Sequence, residues 1–179
     1  MTKETNMAKI IEDEGFAPAH EIDNWDFPLW SEILPGFWMG GTDDDDTIDF
    51  AADTYKSRKI TKEHFDTVVT LYAWAQPTDW LVDELRFGFY DSDISHIDMK
   101  RLEQVVDYAH AAWKNGNKVL VRCQAGLNRS GLTAALVLMK DGYSAKDAIN
   151  LLRTNRTKWA LCNRQFEEFL LTKDAARSE

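Results

Sequence analysis

Cys123 and Arg129 bracket five residues, Gln124-Ala125-Gly126-Leu127-Asn128, and the chain on either side tells what that spacing can do. Val119-Leu120-Val121 is a short run rich in β-branched residues, which predicts a strand buried on both faces. From Ser130 a longer stretch of Ala and Leu predicts a helix that stops at Gly142. A strand feeding a helix through such a loop directs backbone N–H groups, and the positive end of the helix dipole, at one point that suits a phosphate-sized anion. Cysteine thiols in such settings have pKa values lowered from about 8.5 to roughly 4–7, which makes Cys123 a candidate nucleophile. Arg129 can grip two oxygens of the anion with its planar fork. Gln124, Ala125, Gly126, Leu127 and Asn128 are the expected substrate-binding cradle. The bland reading is a buried structural Cys beside an unrelated Arg, and the agreement of strand, glycine, loop and helix stands against it.

Cys123-x5-Arg129-Ser130 resembles the signature of the cysteine-dependent phosphatases, in particular the dual-specificity protein phosphatases. Ile33-Leu34-Pro35-Gly36-Phe37-Trp38-Met39-Gly40 resembles the opening segment of that family's catalytic domain. Phe87-Gly88-Phe89-Tyr90-Asp91 resembles the segment that carries its general acid. Arg153-x2-Arg156 with Ala160-Leu161-Cys162-Asn163-x2-Phe166 resembles its closing segment. One departure stands out: Arg122 occupies the place of a histidine that helps to shape the loop, so only its positive charge is left to take over that task. The resemblance implies an α/β fold with a short, mostly parallel central sheet flanked by helices on both sides. It implies hydrolysis of a phosphate monoester, on a phosphotyrosine or phosphoserine/threonine protein, through a phosphocysteine. Cleavage leaves an alkoxide or phenoxide unless a proton is supplied. The resemblance assigns that proton to Asp91, with Asp93 as the alternative, and has Ser130 ease the departure of the Cys123 sulfur. No metal or organic cofactor is implied, and the four histidines show no metal-ligand spacing.

With 179 residues, 44% of them hydrophobic, the chain is expected to build one catalytic domain over residues 25–173, with tails at 1–24 and 174–179. Two cysteines fit a reducing compartment, and there is no apolar N-terminal run, so a cytoplasmic protein without a membrane anchor is expected. Cys162 reads as a filler rather than a redox partner of Cys123. The net charge of −9 argues against general nucleic-acid binding. From Lys118 to Arg164, however, nine basic residues face two acidic ones, a local excess of about +7 in a remainder of −16. That pattern predicts a basic site that draws a small phosphoester or a phosphorylated protein and holds phosphate or another oxyanion. Two other readings remain: a phosphate-binding module that does not turn over, suggested by Arg122, and an RNA 5′-end phosphatase. The latter rests on Asn128-Arg129-Ser130-Gly131, which is similar to the loop end of RNA 5′-triphosphatases on this scaffold.

The elements that must position these residues follow from pattern. Asp43 to Asp46 reads as a solvated run opening a helix over Thr47–Lys59. Phe65–Tyr72 reads as a buried strand, Thr78–Arg86 as a short helix and Phe87–Phe89 as another strand. Ser95-x-x-Asp98 resembles a capping box for a helix carrying Leu102, Val105, Val106, Ala109 and Trp113 and ending at Asn115-Gly116. Ser144-x-x-Asp147 opens the next helix, and Asn163 caps a last one with Phe166, Phe169 and Leu170 inward. Trp25, Phe27, Trp30, Phe37 and Trp38 are expected to pack onto the domain. Both Asp91 and Asp93 follow a strand, so they share the C-terminal sheet edge with Cys123, where open α/β sheets place their sites.

Overall fold

In the computed structural model, which describes residues 27–48 and 59–176, the apolar runs become the middle of a five-stranded sheet. The strands are β1 (Trp30–Leu34), β2 (Phe37–Gly40), β3 (Thr67–Thr70), β4 (Asp83–Arg86) and β5 (Val119–Arg122), in the order β1-β2-β5-β3-β4. Among the described strands, only β1 and β2 pair antiparallel, through the Pro35-Gly36 turn, and the other strand pairs are parallel. The fold is thus α/β with a mostly parallel sheet, and β5 lies at its centre, buried throughout. Alternation along β5 sorts its residues: Val119, Val121 and Cys123 join the main core, whereas Leu120 joins a smaller one with Ile60, Phe65, Val68 and Val82.

Four helices are described: α1 (Met99–Lys114), α2 (Arg129–Lys140), α3 (Ala145–Asn155) and α4 (Arg164–Ala175). Ten of the twelve residues of α2 are buried, because α2 packs against α1, α3, α4 and the sheet at once. α1 buries Leu102, Val105, Val106 and Ala109 and ends just before Asn115, at the expected place. Ser144 caps α3 through the Asp147 N–H, and Asn163 caps α4 through the Gln165 N–H, both as expected. No described helix is long and apolar enough to cross a membrane.

Several local expectations are corrected. Thr78–Arg86 is not a helix; its end is the edge strand β4, and Phe87–Phe89 is a loop. An edge strand has one neighbour and keeps polar side chains at the solvent, so its Asp-Glu-Leu-Arg lacked the apolar signature of a strand. Phe87 and Phe89 pack on the main core from the loop instead. The proposed Ser95 cap is displaced: Asp93 caps a 3₁₀ turn over Ile94–His96, and Asp98 is the N-cap of α1, accepting from the Arg101 N–H. Thr47 forms an antiparallel bridge with Ala75 rather than starting a helix, and residues 49–58 lie outside those described. Trp25 lies outside them too, while Trp30 and Trp38 both pack edge-on to Phe65, and Phe37 packs on Trp113.

The aspartate run is not wholly solvated. Asp46 is buried in ion pairing with Arg122, whose side chain is fully buried. Arg122 Nε donates to Thr70 Oγ1 at 2.9 Å and Nη2 to the Gln76 carbonyl at 2.6 Å. Nη2 also lies 3.4 Å from Glu84 Oε1. Burial pushes the Asp46 carboxyl up, against the pull of Arg122. The cluster laces Asp43–Ile48 to the loop after β3, where Gln76 N–H donates to Asp46 O and Ile48 N–H to Trp74 O, both at 2.7 Å. Removing one member of a buried ion pair leaves the rest uncompensated and costs about 3–5 kcal/mol. We therefore expect Arg122→Met to lower the unfolding free energy by about that much, read from the urea midpoint, and Arg122→Met with Asp46→Leu to recover part of the loss.

Candidate active site

The loop Cys123–Asn128 leaves the C-terminal end of β5 and closes at Arg129, the first residue of α2. Its form follows from where its carbonyls go. Thr42 Oγ1 donates to Cys123 O at 2.9 Å, and Thr42 N–H to Gln124 O at 2.8 Å. Arg156 Nε donates to Gly126 O at 3.1 Å, and Leu161 N–H to Leu127 O at 3.1 Å. A trans peptide is planar, with its N–H opposite its C=O. Four carbonyls held by donors outside the loop therefore turn the N–H groups of Gln124, Ala125, Leu127 and Asn128 the other way, into the cradle. Gly126 has φ 71° and donates its own N–H to Cys123 Sγ at 3.3 Å.

Cys123 is buried, and Ser130 Oγ lies 3.3 Å from its sulfur. Arg129 is anchored by Nη1 on the Phe89 carbonyl at 3.2 Å and more loosely on the Leu71 carbonyl at 3.5 Å. Its guanidinium lies 5.5 Å from the Tyr72 ring centroid. Nη2 makes a 3.4 Å contact with Gln124 Oε1, and the buried Nε has no hydrogen-bond partner among the described residues. The Nε/Nη2 edge is thus the fork left for an oxyanion, with Nη1 fixing its plane.

Asp91 and Asp93 part company. Asp91 Oδ2 accepts from Asn128 Nδ2 at 3.1 Å and Oδ1 from Asn163 Nδ2 at 3.2 Å, which ties it to the loop and to the start of α4. Burial pushes its carboxyl above the ordinary aspartate value; Arg129, Asn163 and Asn128 pull the other way without cancelling this. Asp93 instead accepts from the Ser95 N–H at 2.7 Å, and Ser95 holds its carboxyl below the usual value. Asn128, named for the cradle, contributes its backbone; its side chain is engaged with Asp91, the Asn163 N–H and the Cys162 thiol.

Arg122 does not stand beside the sulfur as a substitute cation, because it extends from the sheet face opposite Cys123 into the Asp46–Glu84 cluster. The buried cation behind the loop is Arg156, which also bonds Pro28 O and Ser31 Oγ and stacks on Phe27. Desolvation lowers its pKa to about 10, and Cys123 opposes that shift. The basic segment is largely occupied elsewhere: Arg153 pairs with Glu167 and Lys140 with Asp107. Thr42 and the acid-holding role of Asn163 escaped the sequence reading. Gly40-Gly41 before Thr42 was the available signal, since a methyl on Gly41 would sit 2.8 Å from Gln124 O.

Residues 56–175 match the dual specificity phosphatase catalytic domain, and the chain belongs to that family. Among curated relatives, the tyrosine phosphatase candidate 123R of Invertebrate iridescent virus 6 is 33% identical over 98 residues. That alignment takes in 52% of this chain and 64% of the relative, just under two thirds of its length. The fold is similar to that of human DUSP28, with a TM-score of 0.67 and 21% identity over 85% of this chain and 97% of that one. It is also similar to a mouse dual specificity phosphatase candidate complexed with zinc tungstate, with a TM-score of 0.63 and 20% identity over 84% and 91% of the two chains.

A methyl group on Gly126 would come 2.5 Å from Gly41 N and 2.7 Å from Arg156 Nη2. The positive φ adds about 1–3 kcal/mol of strain for any other residue. Gly126→Ala is therefore expected to lower the melting temperature and to abolish vanadate binding, as followed by thermal unfolding and by titration calorimetry.

Proposed function

We propose that this protein is a cysteine-dependent phosphatase that hydrolyses phosphate monoesters through a phosphocysteine at Cys123. The observation that carries the proposal is a loop whose carbonyls are tied outward, with the Gly126 N–H on the Cys123 sulfur and a buried Arg129 Nε left without a partner among the described residues. That is the charge distribution an in-line phosphoryl transfer needs around its three equatorial oxygens. Cys123 Sγ attacks phosphorus, and Asp91 gives its proton to the leaving oxygen. Asp91 then takes a proton from the water that attacks the phosphocysteine, while the Ser130 hydroxyl donates to the departing sulfur. Asp91 is preferred over Asp93 because its environment favours the protonated form that a donor must start from, whereas Asp93 is held ionised by its cap. The substrate is a phosphorylated tyrosine, serine or threonine in a protein, or a small phosphoester; the tungstate bound by the mouse relative is an oxyanion of the same kind. The engagement of Arg153 and Arg156 in structural contacts leaves little for an RNA 5′-end. Two free cysteines suit a cytoplasmic setting.

Hydrolysis of phenyl phosphate, a poor leaving group, tests the assignment. Cys123→Ser should be inactive. Asp91→Asn should lose about 10²–10⁴ in kcat. The sign of the pH dependence follows from Asp91: its proton is held to a higher pH than an ordinary aspartate, and kcat falls as pH rises through that value. In Asp91→Asn this alkaline limb should vanish, while Asp93→Asn keeps it. A rapid acid quench should trap phosphocysteine. Wild type that binds vanadate yet neither turns over nor traps would transfer the site to a phosphate-binding module.

A further inference from the structure

We infer that Thr42 is the positioning residue that sets the anion cradle in this chain, in place of the residue preceding the nucleophile. The inference rests on the phosphatase reading of the same loop. The residue before Cys123 is Arg122, and its guanidinium is committed to Asp46, Thr70, Gln76 and Glu84 on the opposite face of the sheet. It makes no hydrogen bond to the loop among those described, so the first two peptides of the cradle must be oriented by something else.

Thr42 does this with both of its donors. Its hydroxyl fixes the Cys123 carbonyl at 2.9 Å and its amide fixes the Gln124 carbonyl at 2.8 Å. Those two carbonyls belong to the peptides whose N–H groups, on Gln124 and Ala125, open the cradle. Thr42 can reach them because Gly40 and Gly41 lay bare backbone against the loop. Cys123 N–H donates to Gly40 O at 3.2 Å, and neither Gly41 nor Gly126 has room for a Cβ. Four residues on, Asp46 is bound by Arg122, which anchors the far end of the same strap. The Arg122 cluster therefore acts on the loop at one remove, through the strap that carries Thr42. Without the hydroxyl bond, the peptide between Cys123 and Gln124 loses the only donor described on its carbonyl and is free to rotate. The Gln124 N–H then no longer aims at the oxyanion.

The test compares wild type, Thr42→Val, Thr42→Ser and Thr42→Ala by vanadate affinity, by kcat/KM on phenyl phosphate and by melting temperature. Thr42→Val keeps the shape and the amide donor but lacks the hydroxyl. It should bind vanadate and turn over about ten-fold less well, the scale of one net hydrogen bond. Thr42→Ser should restore both. Should the valine variant not fold, Thr42→Ala takes its place against the same serine rescue. Vanadate affinity and kcat/KM at wild-type level in a folded Thr42→Val or Thr42→Ala, or loss without rescue by serine, would overturn the inference. A wild type that fails to bind vanadate would instead overturn the phosphatase reading itself.

Discussion

The site depends on the planarity of the peptide bond. Side chains cannot bring four N–H groups to one point in so short a loop, but a peptide whose carbonyl is tied down on one side must present its N–H on the other. The four ties come from three separate places in the sequence: Thr42 after β2, which supplies two, Arg156 after α3, and Leu161 in the loop before α4. The cradle is thus held by three segments outside it, two of which are themselves joined where Arg153 donates to the Ala160 and Leu161 carbonyls. This is why the sheet order β1-β2-β5-β3-β4 matters to chemistry: it puts β2 beside β5, so that the chain leaving β2 runs along the outer wall of the loop leaving β5.

Two fully or largely buried arginines then perform opposite tasks. Arg122 is neutralised by Asp46 and Glu84, and the cluster works as a structural rivet. Such a rivet adds little net stability compared with an apolar substitute, but it is costly to break by halves. Arg156 bonds carbonyl and hydroxyl oxygens but no carboxylate among the described residues, and it keeps its charge behind the loop at a desolvation cost seen in a pKa lowered to about 10. A buried cation without a counter-ion is tolerated where an anion is expected nearby, and Cys123 is the group that opposes the shift. A count of basic residues cannot distinguish these tasks, which is why the +7 segment overstated the positive surface.

What the sequence disclosed, it disclosed through local chemistry. The apolar run, the glycine-bearing loop and the Ala/Leu stretch around Cys123 are contiguous, so β5, the loop and α2 could be read directly. The caps Ser144 and Asn163 are local signals of the same kind. Edge strand β4 was missed because its burial is decided by what lies beside it rather than by its own pattern. Asp46 looked solvated because its partner is 76 residues away, and Thr42 gave no signal of its own because the carbonyl it serves is 81 residues on. Long-range pairings of polar groups have no periodicity to betray them.

The two aspartates of the acid loop show the same limit in its sharpest form. Asp91 and Asp93 are identical side chains two positions apart, and the fold moves their carboxyl groups in opposite directions. Burial between Asn128 and Asn163 makes the charged form of Asp91 less favourable than in an ordinary aspartate, although both amides point N–H groups at it. Each Asp91 oxygen accepts one bond from these amides, so a proton on either oxygen still leaves a lone pair for its amide, and the acid can be neutral without losing its hold. Asn163 also caps α4 with its Oδ1, so the orientation of the acid is coupled to where the last helix begins. Asp93 faces solvent-side donors that reward ionisation. A pair of like groups pushed apart in this way is how one loop can hold both a carboxyl that keeps its proton to higher pH and an ionised cap.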